Sequence, residues 1–152
     1  MRFCFVLLVG LLVSTQIFAA DMSYPKDVQV VKTGQPFLMY VDKLKAAITA
    51  NKMGIVGLAC ATCGAKSIGK TIAGNRVIMI FNPHFAVRML NASIPAGVEA
   101  PLRLYVVEEK DGTAVLSYKI PSHVFAPYKN TDLDKMALEL DDIVAKLVSD
   151  AR

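Results

Sequence analysis

The sequence of 152 residues contains no tryptophan and only three cysteines, and no more than 20% of its residues are charged. So few cysteines exclude a small domain held together by several disulfides, and an apolar content of 54% is too high for a disordered polyelectrolyte. Nine glycines and seven prolines without a repeating period exclude a collagen-like or low-complexity chain. The composition leaves one compact domain or a protein associated with a membrane.

Apolar residues are concentrated at the N-terminus, where residues 1–20 predict an export signal peptide. A short positive start is followed by an apolar run over residues 3–13 and by a more polar stretch. The run is too short to cross about 30 Å of hydrocarbon, so a retained anchor is the weaker interpretation. We therefore expect cleavage after Ala19 or Ala20, a periplasmic or secreted location, and one mature domain over residues 21–152.

Charge is unevenly distributed along the chain. Loss of Arg2 with the signal peptide lowers the formal net charge from +4 to +3. Residues 43–103 carry eight basic side chains and one acidic side chain, whereas five carboxylates lie within residues 132–142. Because the positive charge is modest and scattered, we expect no nucleic-acid partner. We also expect no stable membrane span after processing, and a homodimer is one arrangement that the sequence allows.

The pattern of apolar residues predicts a single α+β domain with a mainly antiparallel sheet, in the order β-α-β-β-α-β-β-α. The predicted strands are Asp27–Lys32, Met53–Ala59, Arg76–Phe81, Leu102–Glu108 and Ala114–Ile120, and the predicted helices are Pro36–Lys52, Phe85–Asn91 and a last helix from Thr131 onward.

Local sequence features add detail to the prediction of some of these elements. The Asp111-Gly112 turn predicts that the last two strands form a hairpin. Thr131 is expected to cap the last helix, with Asp134 reaching back to it. The strand before Cys60 is expected to be buried, and residues 60–75 are expected to form a loop with at most one helical turn.

A phosphate-binding pattern, G-x-x-x-x-G-K-[ST], occupies Gly64–Thr71 and follows a predicted strand. Such a loop needs a helix that begins at its Lys-Thr pair, so that backbone N–H groups face the phosphates. Only Ile72–Asn75 separates the pattern from the next strand, and four residues cannot form that helix. We therefore reject an NTPase and interpret these glycines as turn formers.

The motif Cys60-Ala61-Thr62-Cys63 is the local feature best suited to chemistry, because two thiols three positions apart can close a small disulfide or bind one soft metal ion. Gly64, in place of histidine, excludes attachment of a c-type haem. A structural disulfide across so short a loop would add only about 2 kcal/mol to stability. Three interpretations stay open: a structural disulfide, a thiol/disulfide or sulfur-transfer pair, and a copper or zinc site.

Other side chains could complete such a site. Lys66 and Lys70 would favour a thiolate and could bind a ligand. His84 is the better candidate of the two histidines for a ligand or for a metal site with Cys60 and Cys63, because it follows a turn where strand ends gather. The other histidine is His123, and the methionines at 39, 53, 79 and 89 are interpreted as core residues. No nucleophile-elbow pattern G-x-S-x-G is present, so enzyme activity stays open only for thiol chemistry.

Several blocks in a fixed order carry a resemblance to a known family. They are Gly74–Leu90 (GNRVIMIFNPHFAVRML), Ala96–Arg103 (AGVEAPLR) leading into LYVVEE, Asp111-Gly112-Thr113 with Leu116-Ser117-Tyr118, and Pro121-Ser122 with Val124–Tyr128. From about Phe37 to its end the chain resembles the bacterial and archaeal family called domain of unknown function 302. The resemblance implies helices on one face of a curved antiparallel sheet, similar to one half of the TATA-binding protein, and it implies no agreed activity. Exported relatives resemble this chain at Cys60 and Gly64-Ala65, whereas Cys63 departs from their pattern.

Two functions follow as expectations. The first is an exported, non-catalytic binding or accessory module in which the Cys60 loop and His84 face a pocket at the strand ends. The second is a thiol/disulfide or sulfur-transfer protein in which Cys60 attacks and Cys63 resolves.

Overall fold

A five-stranded antiparallel sheet organises residues 23–152, which are the residues that the computed structural model describes. The strands are β1 (Val28–Pro36), β2 (Gly54–Ala59), β3 (Asn75–Phe81), β4 (Leu102–Glu108) and β5 (Thr113–Lys119). Their order across the sheet is β1-β5-β4-β3-β2, so β1 and β2 form its two edges. The export signal predicted at residues 1–20 lies outside the described residues.

Five α-helices connect and cover the described strands. They are α1 (Phe37–Ala50), α2 (Ala61–Ser67), α3 (Pro83–Ala92), α4 (Pro121–Phe125) and α5 (Thr131–Asp150), with 3-10 turns at Ile94–Glu99 and Ala126–Tyr128. The predicted α+β class with a mainly antiparallel sheet is confirmed. Within residues 23–152, no helix has both the length and the apolar character needed to span a bilayer.

The main core lies between one face of the sheet and the helices α1 and α5. Alternate residues of β3, β4 and β5 point to this face, as period-two side-chain geometry requires. The residues that form the centre of this core are at most 2% exposed: Ile78, Ile80, Leu104, Val106, Leu116, Tyr40, Leu44, Ile48, Val144 and Leu147. Burial raises the pKa of Tyr40 to about 12, so this phenol stays neutral in the core. On the opposite face of β3, Val77, Met79 and Phe81 are only half-buried.

The β4–β5 hairpin confirms the turn predicted from the sequence. The Asp111 carboxylate accepts hydrogen bonds from the Thr113 backbone N–H, at 2.9 Å, and from the Thr113 hydroxyl, at 2.7 Å. Gly112 lies between them at a φ of +82°, which glycine adopts without steric cost. The Gly112 carbonyl also accepts the N–H of Phe37, so the turn contacts the first residue of α1.

Three predicted details of the helices and strands are wrong. The strand before Cys60 is an exposed edge rather than a buried strand, because β2 pairs only with β3 among the described strands. A helix of seven residues, α2, takes up the first half of the segment expected to be a loop with one helical turn, whereas residues 68–74 form the rest of that loop. The cap of α5 is Asn130 rather than Thr131: the Asn130 side-chain oxygen accepts from the N–H groups of Asp132 and Leu133, the second and third residues of the helix, at 2.9 and 3.1 Å.

The methionines divide between the core and the surface. Met53 and Met89 are buried, as predicted for core residues, and Met79 is half-buried on β3. Met39 is 47% exposed on α1, so its assignment to the core was wrong. The period of three and four residues that places Tyr40 and Leu44 inward turns Met39 toward solvent.

Replacing Leu147 by alanine tests the packing of α5 on the sheet. Leu147 is fully buried, so Leu147→Ala should lower the free energy of unfolding by about 2–5 kcal/mol. Leu138→Ala is the matched control on the same helix, because Leu138 is 59% exposed and should cost no more than about 0.5 kcal/mol. Urea unfolding followed by circular dichroism measures both variants. Equal losses would contradict this assignment of the core.

Candidate functional site: the Cys60–Cys63 disulfide

The Cys60–Cys63 pair lies at the end of an edge strand. β2 ends at Ala59, Cys60 follows as the N-cap of α2, and Cys63 lies in the first turn of that helix. The helical turn brings the two Cα atoms to 5.2 Å, and the two sulfurs form a disulfide. Cys60 is half-buried and Cys63 is exposed, so a reagent in solution can reach the pair.

A backbone donor points at one of the two sulfurs. The N–H of Cys63 donates a hydrogen bond to Sγ of Cys60 at 2.9 Å, and the N–H of Gly64 donates to the Cys60 carbonyl at 3.0 Å. An N–H directed at a sulfur stabilises negative charge on it. The geometry therefore favours Cys60 as the thiolate that forms when the disulfide opens.

Thr62 connects α2 to the sheet. Its hydroxyl donates to the carbonyl of Ala73 at 3.1 Å and accepts from the N–H of Asn75, the first residue of β3, at 2.8 Å. None of the α2 residues is buried. The disulfide helix is therefore held at the sheet edge by polar bonds rather than by packing into the core.

The only charged side chains on the segment that carries the disulfide are positive. Lys66 and Lys70 are both exposed, and the Lys70 N–H bonds to the carbonyl of Ala65 within the turn that follows α2. The sequence has no acidic side chain between Asp42 and Glu99. The two lysines predicted at this site therefore lie on the same short segment as the cysteines, without a carboxylate from that segment to neutralise them.

His84 lies away from the cysteines. Antiparallel pairing places Gly54 opposite Phe81 and Ala59 opposite Val77, so His84, after β3, is at the other end of the β2–β3 pair from Cys60. Five residues of strand separate the two ends by roughly 16 Å. The expected set of Cys60, Cys63 and His84 is therefore not brought together. Among residues 23–152, no group of three or more His, Cys, Asp or Glu side chains could hold a metal ion.

The histidines have other surroundings. The His84 N–H donates to the side-chain oxygen of Asn82, the N-cap of α3, at 2.9 Å, and the imidazole is on the exposed part of that helix. His123 is exposed on α4. Neither histidine joins the disulfide site.

A small apolar cavity lies below α3, close to His84. Its volume is about 30 Å³. Its lining is apolar apart from Asn82 and includes Phe81, Phe85, Met89 and Phe125. This cavity is at the strand ends remote from Cys60, so the expectation of one pocket shared by the cysteine loop and His84 does not match the geometry.

The phosphate-loop pattern has the wrong local structure for nucleotide binding. Gly64–Ser67 form part of α2, and no helix begins at Lys70-Thr71, which precede an extended segment and then β3. The backbone N–H of Lys70 is already bonded to the carbonyl of Ala65 at 2.9 Å. The residues that match the pattern thus form the end of a helix and a turn at Gly69, whose φ is +70°.

Sequence reasoning missed the role of Thr62 and the exposure of β2. A threonine in a CxxC motif has no distinctive pattern, because its two partners come from residues 73 and 75 through folding of the loop. The exposure of β2 depends on the strand order, which local periodicity does not determine.

The fold and the site define a class: an α+β protein with a five-stranded antiparallel sheet and a partly exposed disulfide at the end of one edge strand. The family model described as "Domain of unknown function DUF302" matches residues 29–151, and the chain belongs to this family. A solved structure with the same fold is an uncharacterized conserved DUF302 protein from Bacillus stearothermophilus, with a TM-score of 0.75 and 18% sequence identity. The alignment covers 84% of this chain and 100% of that one. No curated protein gives a significant match.

Opening the disulfide should leave the fold intact, because the pair closes a loop of only a few residues and α2 buries nothing. We expect the reduced protein to lose no more than about 2 kcal/mol of unfolding free energy relative to the oxidised protein. Urea unfolding with and without a thiol reductant measures the difference, and a Cys60→Ser/Cys63→Ser double variant serves as a control that the reductant cannot change. Global unfolding on reduction would show that the bridge is structural.

Proposed function

We propose that this protein is an exported thiol/disulfide exchange protein whose reacting pair is Cys60 and Cys63. The observation that supports this most strongly is the partly exposed disulfide in which the Cys60 sulfur accepts the Cys63 N–H. Reactive cysteines lie in accessible, electropositive surroundings, whereas structural cysteines are buried and inert. The exposed lysines at 66 and 70 supply such surroundings.

A purely structural role fits the geometry less well. A stabilising bridge gains most when it joins distant parts of a chain, and this one joins residues three positions apart in a helix without buried side chains. Its removal would free little conformational entropy in the unfolded chain. The pair is therefore better placed for reaction than for support.

In the reduced protein, the Cys60 thiolate attacks a disulfide of the substrate, and one substrate sulfur leaves as a thiolate. The Cys63 thiolate then attacks the Cys60 sulfur and releases the second substrate sulfur. The substrate disulfide is reduced, and the Cys60–Cys63 dithiol is oxidised to the disulfide seen in the structure. The backbone N–H of Cys63 stabilises the Cys60 thiolate before the first step.

Export belongs to the same proposal. Residues 1–20 have the charge and apolar pattern of a signal peptide, and thiol pairs persist as disulfides mainly in oxidising compartments. A periplasmic or secreted location would supply those conditions.

A redox titration tests the exchange chemistry. The mature chain is equilibrated in thiol/disulfide buffers, and its free thiols are counted by alkylation and mass spectrometry. We expect a reduction potential above about −300 mV, because an accessible exchanging pair is less resistant to reduction than a structural one. Cys63→Ser should accumulate a mixed disulfide on Cys60, and Cys60→Ser is the matched control. A potential far below about −300 mV would contradict exchange and leave a structural bridge.

Processing of the whole chain tests export. Expressed in a bacterial host, the chain should appear in the periplasmic fraction with an intact mass that begins at Ala20 or Asp21. Leu8→Arg interrupts the apolar run and should block processing. Thr15→Ser, a conservative change in the polar stretch that follows the run, should not. A full-length chain retained in the cytosol would argue against the signal peptide.

A non-catalytic accessory protein that binds a small apolar molecule is the second candidate. The cavity below α3 favours it, because its lining is apolar and Asn82 and Phe85, on either side of His84, both contribute to it. Its volume of about 30 Å³ restricts the ligand to a very small group unless the site opens. The redox titration separates the candidates, since this function needs no exchange at Cys60.

A further inference from the structure

The two edges of the sheet differ in how well they are protected against another strand. β1 carries the charged Lys32 and ends in Pro36, and its register with β5 shifts between these two residues. Gly34, at a φ of +66°, bends the same segment. Charge, proline and irregular register are the features that prevent strand addition at an edge.

The β2 edge lacks the first two of these features. Its sequence, GIVGLA, contains no charged residue and no proline. Its register shifts once, between Ile55 and Gly57, and the regular part Gly57–Ala59 runs directly into Cys60. Val56 and Leu58 are 58% and 53% exposed. An apolar, uncharged edge strand therefore ends at the disulfide.

The connection between Cys60 and β3, at the end of this edge strand, also exposes apolar side chains. Ile68 and Ile72, which flank the turn after α2, are 74% and 45% exposed. The Thr62 bond to Ala73 holds the second of them close to the disulfide helix. The only charges on the segment from Gly54 to Asn75 are Lys66 and Lys70, so the surface suits a neutral or acidic chain.

From this geometry we infer that β2 binds an extended segment of a partner protein as an additional strand and that this segment carries the thiols that react at Cys60. The inference rests on the proposed exchange function. Strand addition supplies affinity through main-chain hydrogen bonds, whatever the sequence of the added segment. Because Gly57–Ala59 precede Cys60 without a gap, a paired segment lies along the route to the Cys60 sulfur.

The reaction with a partner dithiol balances from the oxidised state of the structure. A partner thiol loses its proton to solvent, and its thiolate attacks Sγ of Cys60, so the Cys60–Cys63 bond breaks and Cys63 leaves as a thiolate. The second partner thiolate then attacks the partner sulfur of the mixed disulfide and expels the Cys60 thiolate, which keeps the Cys63 N–H as its donor. The partner is oxidised to a disulfide, and Cys60 and Cys63 are reduced.

Three thiol probes test the inference on the oxidised mature chain. The first is a β-branched peptide of about ten residues, the length of a strand, that carries two cysteines. The second is the same peptide with prolines beside both cysteines, which remove ladder hydrogen bonds. The third is dithiothreitol, which reports the intrinsic reactivity of the disulfide. Loss of the protein disulfide with time gives each rate constant.

Leu58→Lys is the decisive variant, because Leu58 is 53% exposed and a lysine on an exposed edge disfavours strand addition. We expect this variant to lower the rate constant for the extended peptide about fivefold, relative to the rate constant for dithiothreitol. A change of this size corresponds to the free energy of one cross-strand contact. The proline peptide should react slowly with the disulfide of both the wild type and the variant. Val98→Lys, at a site that is 79% exposed and remote in sequence, is the control and should change no relative rate.

Three other outcomes would overturn the inference, and each has a different meaning. If both peptides react equally and Leu58→Lys changes neither, no strand is added, although reaction with dithiothreitol would leave the exchange function standing. If no probe reacts, the exchange function fails and the inference fails with it. If sedimentation shows a wild-type dimer that Leu58→Lys dissociates, a second copy of this chain occupies the edge instead.

Discussion

The burial of α1 and α5 against a single face of the sheet is the interaction on which the rest of the structure depends. Tyr40, Leu44 and Ile48 of α1 meet the inward residues of β3, β4 and β5, and Val144 and Leu147 of α5 complete the layer. Apolar area removed from water in this layer provides the main driving force for folding. Because the layer is built from α1, α5 and the sheet, it includes no side chain of α2.

This division between a packed layer and an unpacked edge accounts for the position of the cysteines. β2 is attached to the sheet through β3 only, and the segment after it folds as a short helix held by the Thr62 hydroxyl. The disulfide is therefore anchored to a rigid sheet by the strand before it, but remains open to solvent on the side away from β3. Accessibility and a fixed backbone, which reactive cysteines both need, come from the same arrangement.

The sequence predicted the fold class, the β4–β5 hairpin and the amphipathic face of α5, because each depends on local periodicity or on turn chemistry. Leu104 and Val106 alternate with Arg103 and Tyr105, and Asp111 and Gly112 define the turn between the strands. It also located the cysteine pair, which forms a disulfide. Other features depend on distant contacts: the edge position of β2 follows from the order of all five strands. The separation of His84 from Cys60 follows from the antiparallel register of β2 and β3.

The cap of α5 was misplaced by one residue because Asn130 and Thr131 are both residue types that cap helices well. The Asn130 amide also donates to the Ala92 carbonyl of α3.

The absence of buried side chains in α2 has a consequence for how such proteins can diversify. Substitutions in a segment that contributes nothing to the core are nearly neutral for folding, so they are accepted or rejected on their chemistry alone. Apart from Thr62, which bonds to Ala73 and Asn75, the residues of α2 can therefore change without loss of the packed core. A domain built this way can gain, lose or replace a reactive group in a few mutational steps, and a shared fold in the DUF302 family need not carry a shared reaction.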